Sequence, residues 1–251
     1  MLVVLWSTTA DSSPANPGGV ELVLPSTDRA AIDVAFGKGV IGSAVPAPRI
    51  DDPVRFFTLS AATKQFKILR GPNLGELQPY HFFPYQRSSR QVGGWYQAGN
   101  EEKGFLAKQD DGSLVITGVE DIASEAVTRY DPPEPFLPNG IAPGQQREVR
   151  ISVRVNPVGR ADEISHRGWL KVTLRYLGAF RLALPAGTFD AVVMKSTFSG
   201  RIGPASLEDV QYRFFAPGAG LLATIESRHI SAFLIYQSDT KVAKVLARNS
   251  E

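Results

Sequence analysis

The sequence predicts a mainly β protein: a single curved antiparallel sheet or half-open β-barrel with one or two short helices. Three observations carry this. First, several segments alternate between apolar and polar residues. Val149, Ile151, Val153 and Val155 interleave with Glu148, Arg150, Ser152 and Arg154, and Leu170, Val172, Leu174 and Tyr176 interleave with Lys171, Thr173 and Arg175. Successive side chains of a strand point to opposite faces, so each segment has one apolar and one wet face. Second, 18 prolines and 23 glycines punctuate the chain, leaving little room for a sustained helical period. Third, turn chemistry falls between the alternating runs.

Taken in order, residues 1–20 read as a flexible lead-in or the remnant of a clipped signal. Met1 to Ala10 is a short apolar stretch followed by small polar residues, similar to the tail of a secretory signal but without a basic start. Residues 21–251 read as one β domain. Ala31–Phe36 is a candidate strand, and the modest helix candidates are Ser60 to Leu69 and Val119 to Ala126. Asp111-Gly112 predicts a two-residue hairpin with positive φ at both turn positions, joining Gly104–Lys108 to Ser113–Thr117. Asn156-Pro157-Val158-Gly159 predicts the turn that brings Val149–Val155 back beside Trp169–Tyr176. Between them, Asp131-Pro132-Pro133-Glu134-Pro135-Phe136-Leu137-Pro138 lacks the backbone donors of a central strand. It is either a linker between halves or a strap over the core, and Phe136 and Leu137 favour a strap spanning 131–144.

Composition excludes several function classes. At 251 residues, 43% hydrophobic and 21% charged, the chain has an ordinary globular balance. A formal net charge of +2 is far from the dense basic stripe a nucleic-acid partner calls for, so none is expected. The absence of cysteine removes disulfides, thiolate metal sites and cysteine nucleophiles together. No apolar run approaches the roughly 20 residues of a membrane helix, so no transmembrane helix is expected.

Three stretches carry a resemblance: Pro132-Pro133 with Phe136-Leu137-Pro138 and Ala142-Pro143-Gly144; Leu184-Pro185-Ala186-Gly187-Thr188-Phe189-Asp190-Ala191-Val192; and Tyr212-Arg213-Phe214-Phe215-Ala216-Pro217-Gly218-Ala219-Gly220-Leu221-Leu222. In order and spacing they resemble a family of bacterial cell-envelope β-domains of unknown function. Ala219 stands where that family usually has valine, and its frequent lysine after the turn is Ala223 or absent. Members of the family resemble half-open β-barrels that shelter lipid or lipoprotein acyl chains. The resemblance therefore implies a periplasmic or extracellular location and a lipid or amphipathic ligand, or an envelope protein partner, and transfers no activity. Read physically, Pro185-Ala186-Gly187 and Pro217-Gly218-Ala219-Gly220 are corners, with Gly218 supplying the positive φ of a type II turn.

Motifs for chemistry are sparse. Gly37-Lys38-Gly39-Val40-Ile41-Gly42 matches a dinucleotide fingerprint, but Pro46 and Pro48 forbid the helix that would meet a pyrophosphate. No cofactor is expected. His81, His166 and His229 lack metal-ligand spacing. The acidic pairs Asp51-Asp52, Glu101-Glu102 and Asp110-Asp111 read as solvated turn residues. Candidate contact residues are Trp95 and Tyr96, able to stack on a sugar or acyl chain, and Arg150, Arg154, Lys171 and Arg175, a small basic patch on the wet faces of two neighbouring strands. The expectation is a non-enzymatic envelope protein that binds an apolar or amphipathic ligand, or a partner, in the concavity of a sheet. The alternatives are a hydrolase with carboxylates assembled from distant strands, marked by facing acids with raised pKa, and a structural subunit of an envelope assembly.

Overall fold

The computed structural model describes residues 19–57, 59–86, 92–232 and 236–250; the expected lead-in lies outside these except for its last two residues. The elements are α1 (Ser26–Phe36), β1 (Ile41–Val45), a 3-10 turn (Pro53–Arg55), β2 (Ala62–Arg70), β3 (Leu77–Gln86), β4 (Val92–Ala98), β5 (Glu102–Lys108), β6 (Leu114–Asp121), β7 (Ala126–Leu137), β8 (Gln146–Pro157), β9 (His166–Leu184), β10 (Gly187–Ile202), β11 (Ala205–Ala216), β12 (Gly220–Ala232) and β13 (Tyr236–Ser250). All pairings between strands are antiparallel, in the order β9-β10-β11-β12-β13-β2-β3-β4-β5-β6-β7-β8.

The mainly β class holds, but the half-open geometry does not. β8 lies along β9 from Gln146 opposite Arg175 to Val155 opposite His166, and this closes a 12-stranded barrel. The pairing most distant in sequence is β13 with β2, the last strand and the first of the ring; the longest strand is β9. Its first half takes β8 on one edge, and its second half takes β1 on the same edge, from Ala179 to Leu182. Every strand of the ring has a neighbour on each side, although β7 and β8 pair only from Ala126 to Asp131.

The helices fall elsewhere than expected. Ser60 to Leu69 is chiefly β2, where Phe66 and Ile68 are buried and Lys67 between them is exposed. Val119 to Ala126 is the end of β6, a turn and the start of β7. The α-helix is α1, which contains Ala31–Phe36, expected as a strand. It runs from Ser26 to Phe36 without Gly or Pro and buries Ile32, Ala35 and Phe36 on one face. It packs on the outer wall, with the Phe36 ring 5.3 Å from that of Phe214. Buried Asp28 accepts from Lys195 Nζ at 2.6 Å and from the Tyr212 hydroxyl at 2.7 Å. The dinucleotide-like glycines therefore follow a helix and lead into a strand, the reverse of the order that motif needs.

The proline run also differs from a strap. Residues 131–137 are the second half of β7, and the ladder is interrupted where the prolines fall. On one edge pairing with β8 ends at Asp131; on the other, pairing with β6 jumps from Arg129 to Glu134. Only 138–144 is loop. The Asp111-Gly112 hairpin forms, but as a longer turn. Gly112 alone has positive φ, its N–H donates to Gln109 O, and the Asp111 carboxylate accepts from Ser113 N–H and Oγ. The corners at Pro185–Gly187 and Pro217–Gly220 join β9 to β10 and β11 to β12 at the same end of the barrel. That end is filled. Phe57, just after the 3-10 turn, meets Phe82, Phe136 and Phe215 with ring centroids 5.5, 5.1 and 6.3 Å away.

Candidate functional site

Inward positions change character along the barrel. On β11 the inward side chains are Phe215, Arg213, Gln211 and Asp209, alternating with outward Phe214, Tyr212 and Val210. Phe215 belongs to the aromatic plug, and the next three form the wall of a charged lumen. Arg213 Nη1 donates across the barrel to Glu134 Oε1 of β7 at 3.0 Å, and its Nη2 donates to Gln211 Oε1. Gln211 Nε2 donates to Asp209 Oδ2 at 2.6 Å. Arg228, inward on β12, pairs with Glu226 two residues before it and lies 3.9 Å from Asp209 Oδ2. Lys244 of β13 reaches across to Glu101 Oε2 at 3.0 Å.

Tyrosines line the facing wall. Tyr80 and Tyr96 stack with centroids 5.9 Å apart, and the Tyr96 hydroxyl donates to Glu102 Oε1 at 2.6 Å. Gly104 makes this geometry possible: a Cβ there would lie 2.2 Å from the Tyr96 ring, which occupies the place of the missing side chain. Burial pushes the phenols of Tyr80, Tyr96 and Tyr130 upward, with nearby carboxylates adding to the shift, so they stay neutral donors.

The same burial acts on the acids. The carboxyls of Glu102 and Glu134 are raised above the usual range by desolvation, which outweighs the Tyr96 hydrogen bond in the first and Arg213 in the second. Asp209 is pushed up to about 7 by burial and by the neighbouring Glu226. Its Oδ1 and Gln78 Oε1 are buried acceptors without a hydrogen-bond donor among the described residues. An acceptor left in this state costs about 1–3 kcal/mol. Water nonetheless reaches the lumen: the side chains of Glu226 and Arg228 remain 26% and 35% exposed although they face inward. The layer thus combines acidic, cationic and phenolic groups in a partly solvated channel, suited to binding a polar or amphipathic molecule.

The residues singled out from sequence are divided among different faces. Trp95 and Tyr96 are neighbours on β4 and so point to opposite sides. Tyr96 is in the lumen, whereas Trp95 stacks on outward Phe83 at 4.1 Å. The four basic residues do share the outer wall. Arg150 lies opposite Lys171, Arg154 opposite Arg167, and Arg175 opposite Gln146. Arg150 sits 4.1 Å over the Trp169 ring, and Lys171 pairs with Glu148 at 3.0 Å. Arg129 of β7 lies opposite Arg154, extending the row. This charged wall is the opposite of the apolar band that a membrane-spanning barrel presents to lipid. Among the described residues, no helix is long and apolar enough to cross a membrane.

Of the acidic pairs, Asp110-Asp111 is in a turn and Asp51 pairs with Arg49 at the surface. Glu102 is different, since it opens β5 and faces the lumen. Sequence reasoning missed the lumen residues. Their signal was present as polar side chains at alternate positions on aromatic strands: 209, 211 and 213 on β11, and 226 and 228 on β12.

No family model and no curated protein matches the chain. Two solved structures are similar. One is a Bacteroides fragilis protein named "putative exported protein with YmcC-like fold", at 12% identity and a TM-score of 0.46, covering 78% of this chain and 99% of that one. The other is a Parabacteroides distasonis "putative lipoprotein", at 13% identity and a TM-score of 0.39, covering 78% and 98%. Likenesses of this size carry no functional argument.

Proposed function

We propose that the protein is an envelope binding protein whose barrel lumen takes an amphipathic ligand, its polar part against the charged layer. The observation that carries this reading is the set of inward ionisable side chains that keep access to water, Glu226 and Arg228 foremost. A packed structural core has no use for them, because desolvating charges costs more than apolar packing of the same volume. Unsatisfied Asp209 Oδ1 and Gln78 Oε1 add acceptors that a ligand hydroxyl or amine would satisfy. Tyr80, Tyr96 and Tyr130 supply flat faces with a polar tip, which suit a ligand of mixed character. The same charges favour the amphipathic alternative over a purely apolar one, since an acyl chain alone would leave them desolvated and unpaired. The envelope location rests on the signal-like start and on the resemblance in the Leu184–Leu222 region.

Native mass spectrometry of the purified protein, followed by solvent extraction, tests this. The wild type should carry a releasable small molecule, and Arg228→Gln should reduce its occupancy at least about tenfold, the loss expected when a charge-assisted contact worth roughly 1.5–3 kcal/mol is removed. Protein mass alone in both, or equal occupancy, would overturn the reading. Raised carboxyls at Glu102, Glu134 and Asp209 favour a second reading, a hydrolase assembled from distant strands. Conversion of the bound compound on incubation, lost in Asp209→Asn, would establish that reading instead.

A further inference from the structure

At the plugged end of the barrel lies a second site, separate from the charged layer. A cavity of about 220 Å³ opens between the start of β2, the end of β3 and the β11–β12 corner, lined by Phe57, Lys64, Phe82, Ala219, Gly220 and Leu221 among others. Lys64 faces inward beside Phe82. Its Nζ donates to Ala219 O and lies 5.8 Å from the centre of the Phe82 ring. The corner is shaped around this ammonium. Gly220 has φ +72°, and a Cβ there would come within 2.9 Å of Lys64 Nζ. Gly218 N–H is tied to Arg55 O at 2.8 Å, which fixes the corner to the 3-10 turn.

The chemistry of the cavity is unbalanced. An ammonium has three donors, and the described residues engage only one of them, through a neutral carbonyl. Burial lowers its pKa, to about 8, and no carboxylate among the described residues acts against the shift. This contrasts with the lumen, where Arg213, Arg228 and Lys244 each have a carboxylate partner. A half-buried cation without a counter-charge is unfavourable, and an anion entering the cavity would relieve it. Phe57, Phe82 and Leu221 offer the same ligand an apolar wall.

We propose that this cavity binds the carboxylate of an amphiphile, with Lys64 as its counter-charge and Phe57, Phe82 and Leu221 against the first part of its apolar chain. The site lies toward the plugged end and shares no lining residue with the charged layer, whose wall begins at Tyr80 opposite Lys64.

Isothermal titration with dodecanoate below its micelle concentration, dodecanol and acetate tests the proposal. Dodecanoate should bind at least tenfold more tightly than either analogue, because only it has both charge and chain. Lys64→Met should weaken dodecanoate at least tenfold and leave dodecanol unchanged, while Lys64→Arg should retain most of the affinity; circular dichroism confirms that both variants fold. Dodecanoate affinity should fall as the pH rises above about 8, where free Lys64 loses its proton. Equal binding of dodecanoate and dodecanol, or unchanged dodecanoate binding by Lys64→Met, would overturn it. Lys67→Met, exposed on the other face of β2, should leave dodecanoate binding intact; a matching loss there would assign the effect to surface charge and refute the site.

Discussion

The aromatic plug and the charged layer are built from the same strands, a few residues apart, and follow opposite rules. β11 enters both: Phe215 packs on Phe57 and Phe136, while Arg213 on the same face pairs with Glu134. β7 mirrors it, with Phe136 in the plug and Glu134 in the layer. In the plug, burial of aromatic surface is favourable throughout, and Phe215 is fully buried. In the layer each buried charge must find a partner, and the geometry of pairing decides whether the arrangement is tolerated. The difference teaches that an inward position in a closed barrel is not automatically an apolar one. The plug holds the fold together, and the layer is retained despite its cost.

Three measurements break or sharpen this contrast. The largest effect is expected in the plug. Phe215→Ala leaves a hole beside Phe57 and Phe136 and should cost about 3–5 kcal/mol in urea denaturation. A loss below about 1 kcal/mol would mean that the plug is not the stabilising element. Next is the layer. Arg213→Met strands Glu134 in a buried site and should cost about 3 kcal/mol, whereas the double variant Arg213→Met, Glu134→Leu should recover most of that loss. If the double variant is no more stable than Arg213→Met alone, the pair is a net stabiliser and the contrast fails.

The smallest effect is expected per unit of pH, since one proton contributes at most about 1.4 kcal/mol for each unit. The folded pKa of Asp209 is raised to about 7, above its unfolded value near 3.8. The folded state therefore binds the extra proton between these values. The contribution is fully present below about 4 and is lost as the pH rises toward 7. Denaturation midpoints measured between pH 4 and 8 should fall with this slope in the wild type and flatten in Asp209→Asn. An identical slope in both would assign the dependence to another group.

Much of the sheet was legible in the sequence because strand alternation and turn residues act locally. Val149–Val155 and Trp169–Tyr176 are neighbours, Arg150 lies opposite Lys171, and both proline–glycine corners turn the chain where they were expected. The helix was misplaced because Ser60–Leu69 lacks Gly and Pro as much as Ser26–Phe36 does; the one pairs with β3 and β13, the other lies on the outer wall. The charged layer was not legible for a different reason. Alternation assigns residues to two faces but does not say which face is enclosed. On β11, Tyr212 and Phe214 look like the core face and Asp209, Gln211 and Arg213 like the wet one, yet α1 covers the first set and the barrel encloses the second.

The sequence by itself determined that this chain forms antiparallel strands, where many of them turn, and that cysteine chemistry plays no part. Those properties depend on residues close together in the chain. Only the tertiary structure decided that the sheet closes, because closure requires β13, the last strand of the ring, to pair with β2, its first. Closure then decided the rest. It brought Glu134 to Arg213, Glu101 to Lys244 and Ala219 to Lys64, converting polar faces into a lumen and a loop corner into a cavity. Such sites arise from contacts across the barrel, and no local pattern encodes which strands will face one another.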